Sequence, residues 1–218
     1  VRMERKNLPL IKMVGRSKRD VMNVLIDVSS PSSWLEFSTA RGFNAQFMGV
    51  DGEVIPYRGG YNTGGENAYA GVVTQLRINQ LFMENVPFFI RMVSGSLGPL
   101  ARGIHVPKVD AILGYDNLRN FEFIQFDLRN NQIRFSSTTP YVPHDELLIA
   151  MAKIVDLPGY GLAVNGYVEG VPTPVILDIA GTVTFARGDV KTKITKEIDL
   201  DLLSFNQVPT LVIPIHDS

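Results

Sequence analysis

Two short apolar runs, LIKMV and NVLI, lie between Leu10 and Ile26 with the polar segment GRSKRD between them. That pattern predicts a β-hairpin whose second strand runs straight into Asp27. Polar residues and glycines gather again from Gly59 to Gly71 (GGYNTGGENAYAG), followed by the alternating VVTQLRI, which predicts the tip and returning arm of a long hairpin. The apolar strand VPFFIRMV comes next, then a glycine-rich loop through Gly103 and the run AILG at Ala111 to Gly114. A single helical turn (YDNLRNF) and a closing hairpin (FIQFDLRNNQIRFSS, turning at Asn130-Asn131) complete this half. One longer helix is predicted after Pro143, where Leu147, Leu148, Met151, Ile154 and Val155 share a face and Leu157-Pro158-Gly159 ends it.

Beyond that helix the pattern starts again. LAVNGYVEGVPTPVILD repeats strand, turn and strand-into-Asp, so VLID ending at Asp27 matches VILD ending at Asp178. A second echo joins INQLFMENVPFFI to LDLLSFNQVPTLVI, aligning Pro87 with Pro209. Only the first copy carries the glycine-rich hairpin. An internal repeat with one elaborated copy organises the chain into residues 1–139, a helical connector at 140–160, and a shorter unit at 161–218.

Composition narrows the chemistry. The 218 residues are 45% hydrophobic and 20% charged, which suits a packed core. Lys plus Arg is 21 against 22 Asp plus Glu, a net charge of −1 that offers no general attraction to nucleic acid. Gly (19) and Pro (13) favour many turns and an all-β architecture with few short helices. With no cysteine there can be no disulfide, Cys-zinc site or thiol nucleophile. The longest uncharged run, Leu202 to His216, holds two prolines and falls short of the roughly 20 apolar residues of a membrane-spanning helix. None of this fixes a compartment. His105, His144 and His216 are scattered outside any metal-ligand spacing, and no phosphate-binding glycine motif or G-x-S-x-G elbow occurs.

Each repeat sets a carboxylate at the end of an apolar strand with small residues after it, DVSS at Asp27 and DIAGT at Asp178. Pseudo-symmetry would bring the two together. Carboxylates that share a site do not both ionise readily, so one keeps a proton while the other does not, which provides an acid and a base.

These residues resemble a known family. DVSSPSSW, from Asp27 to Trp34, is similar to the DTGSS-x-x-W of pepsin-like aspartic peptidases. Tyr61-Asn62-Thr63-Gly64 resembles the Y-G-T-G at the tip of that family's substrate-covering flap. Asp110-Ala111-Ile112-Leu113-Gly114 is similar to its D-G-I-L-G beneath the catalytic loop, and VPTPVILDIAG to its second catalytic loop. The resemblance implies the pepsin-like β-barrel fold with two pseudo-symmetric lobes and hydrolysis of an extended peptide or protein substrate in the groove between them. It makes Asp27 and Asp178 the dyad, one activating water and one protonating the scissile carbonyl. Ser30 would support the first aspartate, and Tyr61, Thr63 and Gly64 would close over substrate with the Tyr61 hydroxyl tied to the Trp34 indole. No metal or organic cofactor is implied.

The loops depart from the family's D-T/S-G. Val28 and Ile179 replace its hydroxyl residues, while Ser29 and Ala180 replace its glycine and are expected to crowd the carboxylates. A counterpart of Ile112 to Phe135 is missing from the second repeat, which favours a fragment or an oligomer: the missing part is expected to be disordered, cleaved off or supplied by a second chain. The alternative to a peptidase is a catalytically inactive protein of this fold that binds a peptide or partner.

Overall fold

Strand formation follows the hydrophobic alternation almost throughout. A computed structural model of the chain describes residues 1–4, 8–51, 53–54, 56–57, 68–91, 108–142, 151–179, 184–187 and 194–213. The first half contains β1 (Leu10–Val14), β2 (Val21–Ile26), β3 (Trp34–Glu36), α1 (Phe37–Gly42), and four two-residue strands: β4 (Gln46–Phe47), β5 (Gly49–Val50), β6 (Glu53–Val54) and β7 (Pro56–Tyr57). Then come β8 (Ala68–Ile78), β9 (Leu81–Arg91), β10 (Ala111–Leu113), the short α2 (Tyr115–Leu118), β11 (Phe123–Asp127) and β12 (Gln132–Ser136). The second half holds β13 (Ile154–Val155), β14 (Ala163–Val168), β15 (Val171–Ile176), β16 (Thr184–Arg187), β17 (Ile194–Leu200) and β18 (Leu203–Ile213). The molecule is therefore mostly β with few short helices.

Six strands of the first half form a ring in the order β1-β2-β10-β3-β9-β8, closed by the pairing of Val14 in β1 with Arg77 in β8. Closure removes the unpaired edges that a flat sheet would leave. Inside and beneath the ring, Ile11, Met13, Met22, Val24, Leu35, Leu76, Ile90 and Leu113 are fully buried in one cluster. Ile133 of β12 joins it, with Ile124, Phe126 and Phe135 partly buried alongside, so the β11–β12 hairpin covers this core as a lid. Each such large apolar side chain contributes about 1.5–3 kcal/mol through burial.

Among the described residues the second half repeats four of this ring's six pairings in register. The β17–β18 hairpin lies 122 positions after β8–β9: Asp201 and Asn79 take the turn with positive φ, as do Gln207 and Asn85 two residues before Pro209 and Pro87. Leu76↔Met83 and Val72↔Pro87 become Ile198↔Phe205 and Ile194↔Pro209. The parallel pair Trp34↔Phe89 becomes Phe185↔Leu211, each first member lying seven residues after its aspartate. Even the closing pair recurs, as Tyr167↔Asp199. The echo read in the sequence is thus present in the backbone.

Burial differs as well. Ile198 and Leu200 are only half-buried where Leu76 and Ile78 are buried, and Val171, Leu203 and Phe205 are exposed.

Two sequence expectations change. The predicted helix falls mostly on residues 143–150, outside the described residues, but its last two apolar positions, Ile154 and Val155, form β13 against Val164 and Ala163. Their branched side chains suit a strand, and Pro158 and Gly159 follow too closely to leave a final helical turn. In the opposite sense, α1 was not anticipated, since six residues are too short for helical periodicity to show.

Candidate active site

Asp27 stands where β2 ends, and the sequence locks that end from three sides. Ile26 donates its N–H to the Pro9 carbonyl (2.8 Å), and Asp27 donates to the Leu113 carbonyl in β10 (3.1 Å). Because β10 runs parallel to β2 and antiparallel to β3, the chain entering and leaving the aspartate loop is pinned to one central strand. The AILG segment therefore does lie beneath the aspartate loop.

Behind the loop, α2 is bonded to it. The buried Ser33 hydroxyl donates to Asp116 Oδ1 (2.6 Å) and accepts from the Gly114 N–H (2.8 Å) and Asn117 Nδ2 (2.8 Å). Tyr115 N–H reaches the Ser30 carbonyl at 2.8 Å. A Cβ on Gly114 would run into the carbonyl of Ser32, so only glycine permits this approach. On the far side of β10, Asp110 accepts from the Asn23 N–H (2.9 Å) and pairs with Lys108 (2.9 Å).

The Asp27 carboxylate is half-buried, and its Oδ1 accepts from the Ser29 N–H (2.9 Å), the Ser29 hydroxyl (2.6 Å) and the Ser30 N–H (3.3 Å). Ser29 does not crowd the carboxylate as expected from its place in the motif; its hydroxyl supplies the shortest of these bonds. Ser30 contributes its N–H, while its hydroxyl turns to the Ser32 carbonyl (2.7 Å). Burial pushes the Asp27 pKa above its ordinary 3.8, the negative charge of Asp178 pushes it the same way, and the Ser29 and Ser30 bonds hold it back.

From the second half, Leu177 donates to the Leu162 carbonyl (2.9 Å), repeating the Ile26–Pro9 contact, and Asp178 follows it, exposed. Leu162 N–H donates to the Val28 carbonyl (2.6 Å). Gly161 lies against the Val28 and Ser29 backbone so closely that a Cβ would collide with it. Val28 is buried in the core of the first ring, and Ile179 packs against the same core. Where the resemblance placed hydroxyl residues, apolar packing and a backbone hydrogen bond tie the halves together instead.

Trp34 is buried between Phe89 (ring centroids 5.3 Å apart) and the Arg91 guanidinium, 3.9 Å from its ring centroid. Tyr61, Thr63 and Gly64 lie outside the described residues, as do Ala180, Gly181 and Thr182. Among the described residues no group of three or more His, Asp or Glu could hold a metal ion. No described helix is long and apolar enough to cross a membrane.

The hydrogen bond of the Ser29 hydroxyl, and Ser33, Asp116, Asn117 and the Gly161-Leu162 tether altogether, were missed by sequence reading. Ser33 carried no signal beyond its run of serines, whereas Gly161 in PGYG was a visible mark of close backbone approach.

Asp27 is thus a half-buried carboxylate, held by Ser29 and Ser30, that keeps its proton to a higher pH than a free one does.

No family model and no curated protein matches the chain. Among solved structures, it is similar to a retropepsin-like aspartic protease from Rickettsia conorii, with 14% identity and a TM-score of 0.41 over 62% of this chain and 88% of that one. It is also similar to the retroviral protease-like domain of Ddi1 from Leishmania major, with 13% identity and a TM-score of 0.37 over 62% and 96%. Overlaps this slight leave the assignment to the residues themselves.

Proposed function

We propose that this chain is an aspartic-peptidase-like protein of two pseudo-symmetric lobes that hydrolyses peptide bonds with water activated between Asp27 and Asp178. What supports it is that the equivalent strands β2 and β15 lead into Asp27 and Asp178, with burial, and to a lesser degree the charge of Asp178, raising the pKa of the half-buried Asp27. In the reaction the ionised carboxylate takes a proton from water as the oxygen attacks the scissile carbonyl carbon. The protonated carboxyl donates to the carbonyl oxygen. Collapse of the tetrahedral intermediate breaks the C–N bond: the carboxyl that took water's proton gives it to the departing amine, and the other carboxylate takes a proton back from the intermediate's hydroxyl. An extended peptide would lie between the lobes, with Tyr61, Thr63 and Gly64 as covering residues. Neither a metal nor an organic cofactor enters the reaction.

One observation favours a non-catalytic peptide- or partner-binding protein instead. Asp178 is exposed while Asp27 is half-buried, so the two carboxylates do not share one environment. Incubating the chain with a denatured protein or peptide library from acidic to neutral pH separates the two. A peptidase gives cleavage that Asp27→Asn and Asp178→Asn each abolish. Inactivity at every pH together with saturable peptide binding establishes the second reading.

A further inference from the structure

The two rings differ in one strand. In the first, the cyclic order is β1-β2-β10-β3-β9-β8; in the second, the equivalents run β14-β15, then β16-β18-β17, and among the described residues no strand lies between β15 and β16. Every other pairing of the ring recurs in register, including the closing pair. We propose that the β15/β16 edge pair is a strand-acceptor site, which takes from another polypeptide a short extended apolar segment of the Ala111–Leu113 type.

Two observations define the site. Alternation is the first. Leu177 donates to the Leu162 carbonyl on the β14 side, so the N–H groups of residues 172, 174 and 176 face the opposite edge of β15. Residues 172 and 174 are prolines, which have no N–H and blunt that edge against pairing. Within β15 the outward N–H that remains is that of Ile176, at the centre of Val175–Leu177. This is the window equivalent to Val24–Ile26, on which β10 lies.

Exposure is the second. Leu25 is 6% exposed because it packs in a cluster with Ile112 of β10, whereas its equivalent, Ile176, is 38% exposed. A strand running parallel to β15 and antiparallel to β16, with an apolar residue at its centre, would cover Ile176 as Ile112 covers Leu25. It would also place a backbone beside Leu177 and Asp178, as β10 stands beside Ile26 and Asp27. Occupancy of this edge does not depend on whether Asp27 hydrolyses anything.

A capped synthetic peptide of sequence VDAILGYD, copied from residues 109–116, tests the site on the full chain. Saturable binding is expected, with slowed amide exchange at Ile176 and along residues 184–187, and none with the scrambled peptide. Ile176→Pro removes only the outward N–H, as its neighbours at 172 and 174 already do, and is expected to weaken binding at least roughly tenfold with an unchanged circular dichroism spectrum. Failure to saturate at low millimolar peptide would overturn the assignment. So would equal binding of the scrambled peptide, or protection confined to β2 and β3. Self-association of the chain that Ile176→Pro abolishes, without peptide binding, would also overturn it, in favour of edge pairing between copies.

Discussion

The β8–β9 and β17–β18 hairpins have one backbone and two fates. Both turn on a positive-φ polar residue and return along an eleven-residue strand, and β9 and β18 each place a second such residue two before a proline. Yet Leu76 and Ile78 are buried beneath a closed ring, and Ile198 and Leu200 are half-buried in an incomplete one. Local sequence therefore sets the pairing, and burial is set by what else packs against it. Replacing equivalent residues in the two copies separates those contributions. Leu76→Ala should cost about 2–5 kcal/mol, the usual cost of a cavity in a packed core, and Ile198→Ala less than half of that. Denaturant titration of the two variants checks it; equal losses would mean that the second copy is as well packed as the first.

A smaller effect is expected where α2 holds the aspartate loop, a support that the second copy does not show among its described residues. Ser33→Ala strips the acceptor from the buried Gly114 N–H, at about 1–3 kcal/mol for a donor left unsatisfied, and removes one of two acceptors of the Asn117 amide, which keeps the Pro87 carbonyl. Amide exchange should quicken at Gly114 and Asn117 while β17–β18 is unaffected. A uniform loss of protection would instead make the two halves a single cooperative unit.

The two aspartates offer a third contrast, in their response to pH. The folded state raises the Asp27 pKa above 3.8, so it binds that proton more tightly than the unfolded chain does. Stability then falls as pH rises from the ordinary value through the raised one, and the penalty is fully present above it. Asp27→Asn should be more stable than the parent at neutral pH even as hydrolysis is lost, the difference fading as pH drops through that window. Thermal melts across acidic and neutral pH decide it, and equal stability at neutral pH would deny the carboxylate its burial cost. Ser29→Ala removes a bond to the charged form worth about 1.5–3 kcal/mol and lifts the pKa further. The limb of the hydrolysis profile that Asp27 sets would move to higher pH.

Much of the ring was legible in the chain because strands announce themselves by alternation and turns by Asn, Asp and Gly. LIKMV, NVLI, AILG and FIQFD all became strands close to their expected bounds. Asp27 was legible because an apolar strand delivered it, and its link to Ser29 was not, because a hydroxyl's direction is set by three-dimensional contacts with no trace in spacing. Similarly, Ile154 and Val155 fit a helical face and a strand equally well, and pairing with β14 decided between them. The open edge at β15 left a faint mark, Pro172 and Pro174, which only the strand pairing makes meaningful.

The finest comparison is between Asn85 and Gln207, which occupy one backbone position in the two hairpins with φ of 53° and 54°. Both are exposed, so packing does not distinguish them. Asparagine visits this left-handed region readily, whereas a longer side chain pays a steric cost there of roughly 1–2 kcal/mol. Gln207→Asn should accordingly stabilise the chain by up to about 1 kcal/mol, and Asn85→Gln should destabilise it by a similar amount. Both would appear as opposite shifts of the denaturation midpoint at unchanged slope. Mirror-image shifts would show that the strain is local and belongs to the repeated backbone. If only Asn85→Gln has an effect, the second hairpin relaxes out of this conformation, as its weaker burial would allow.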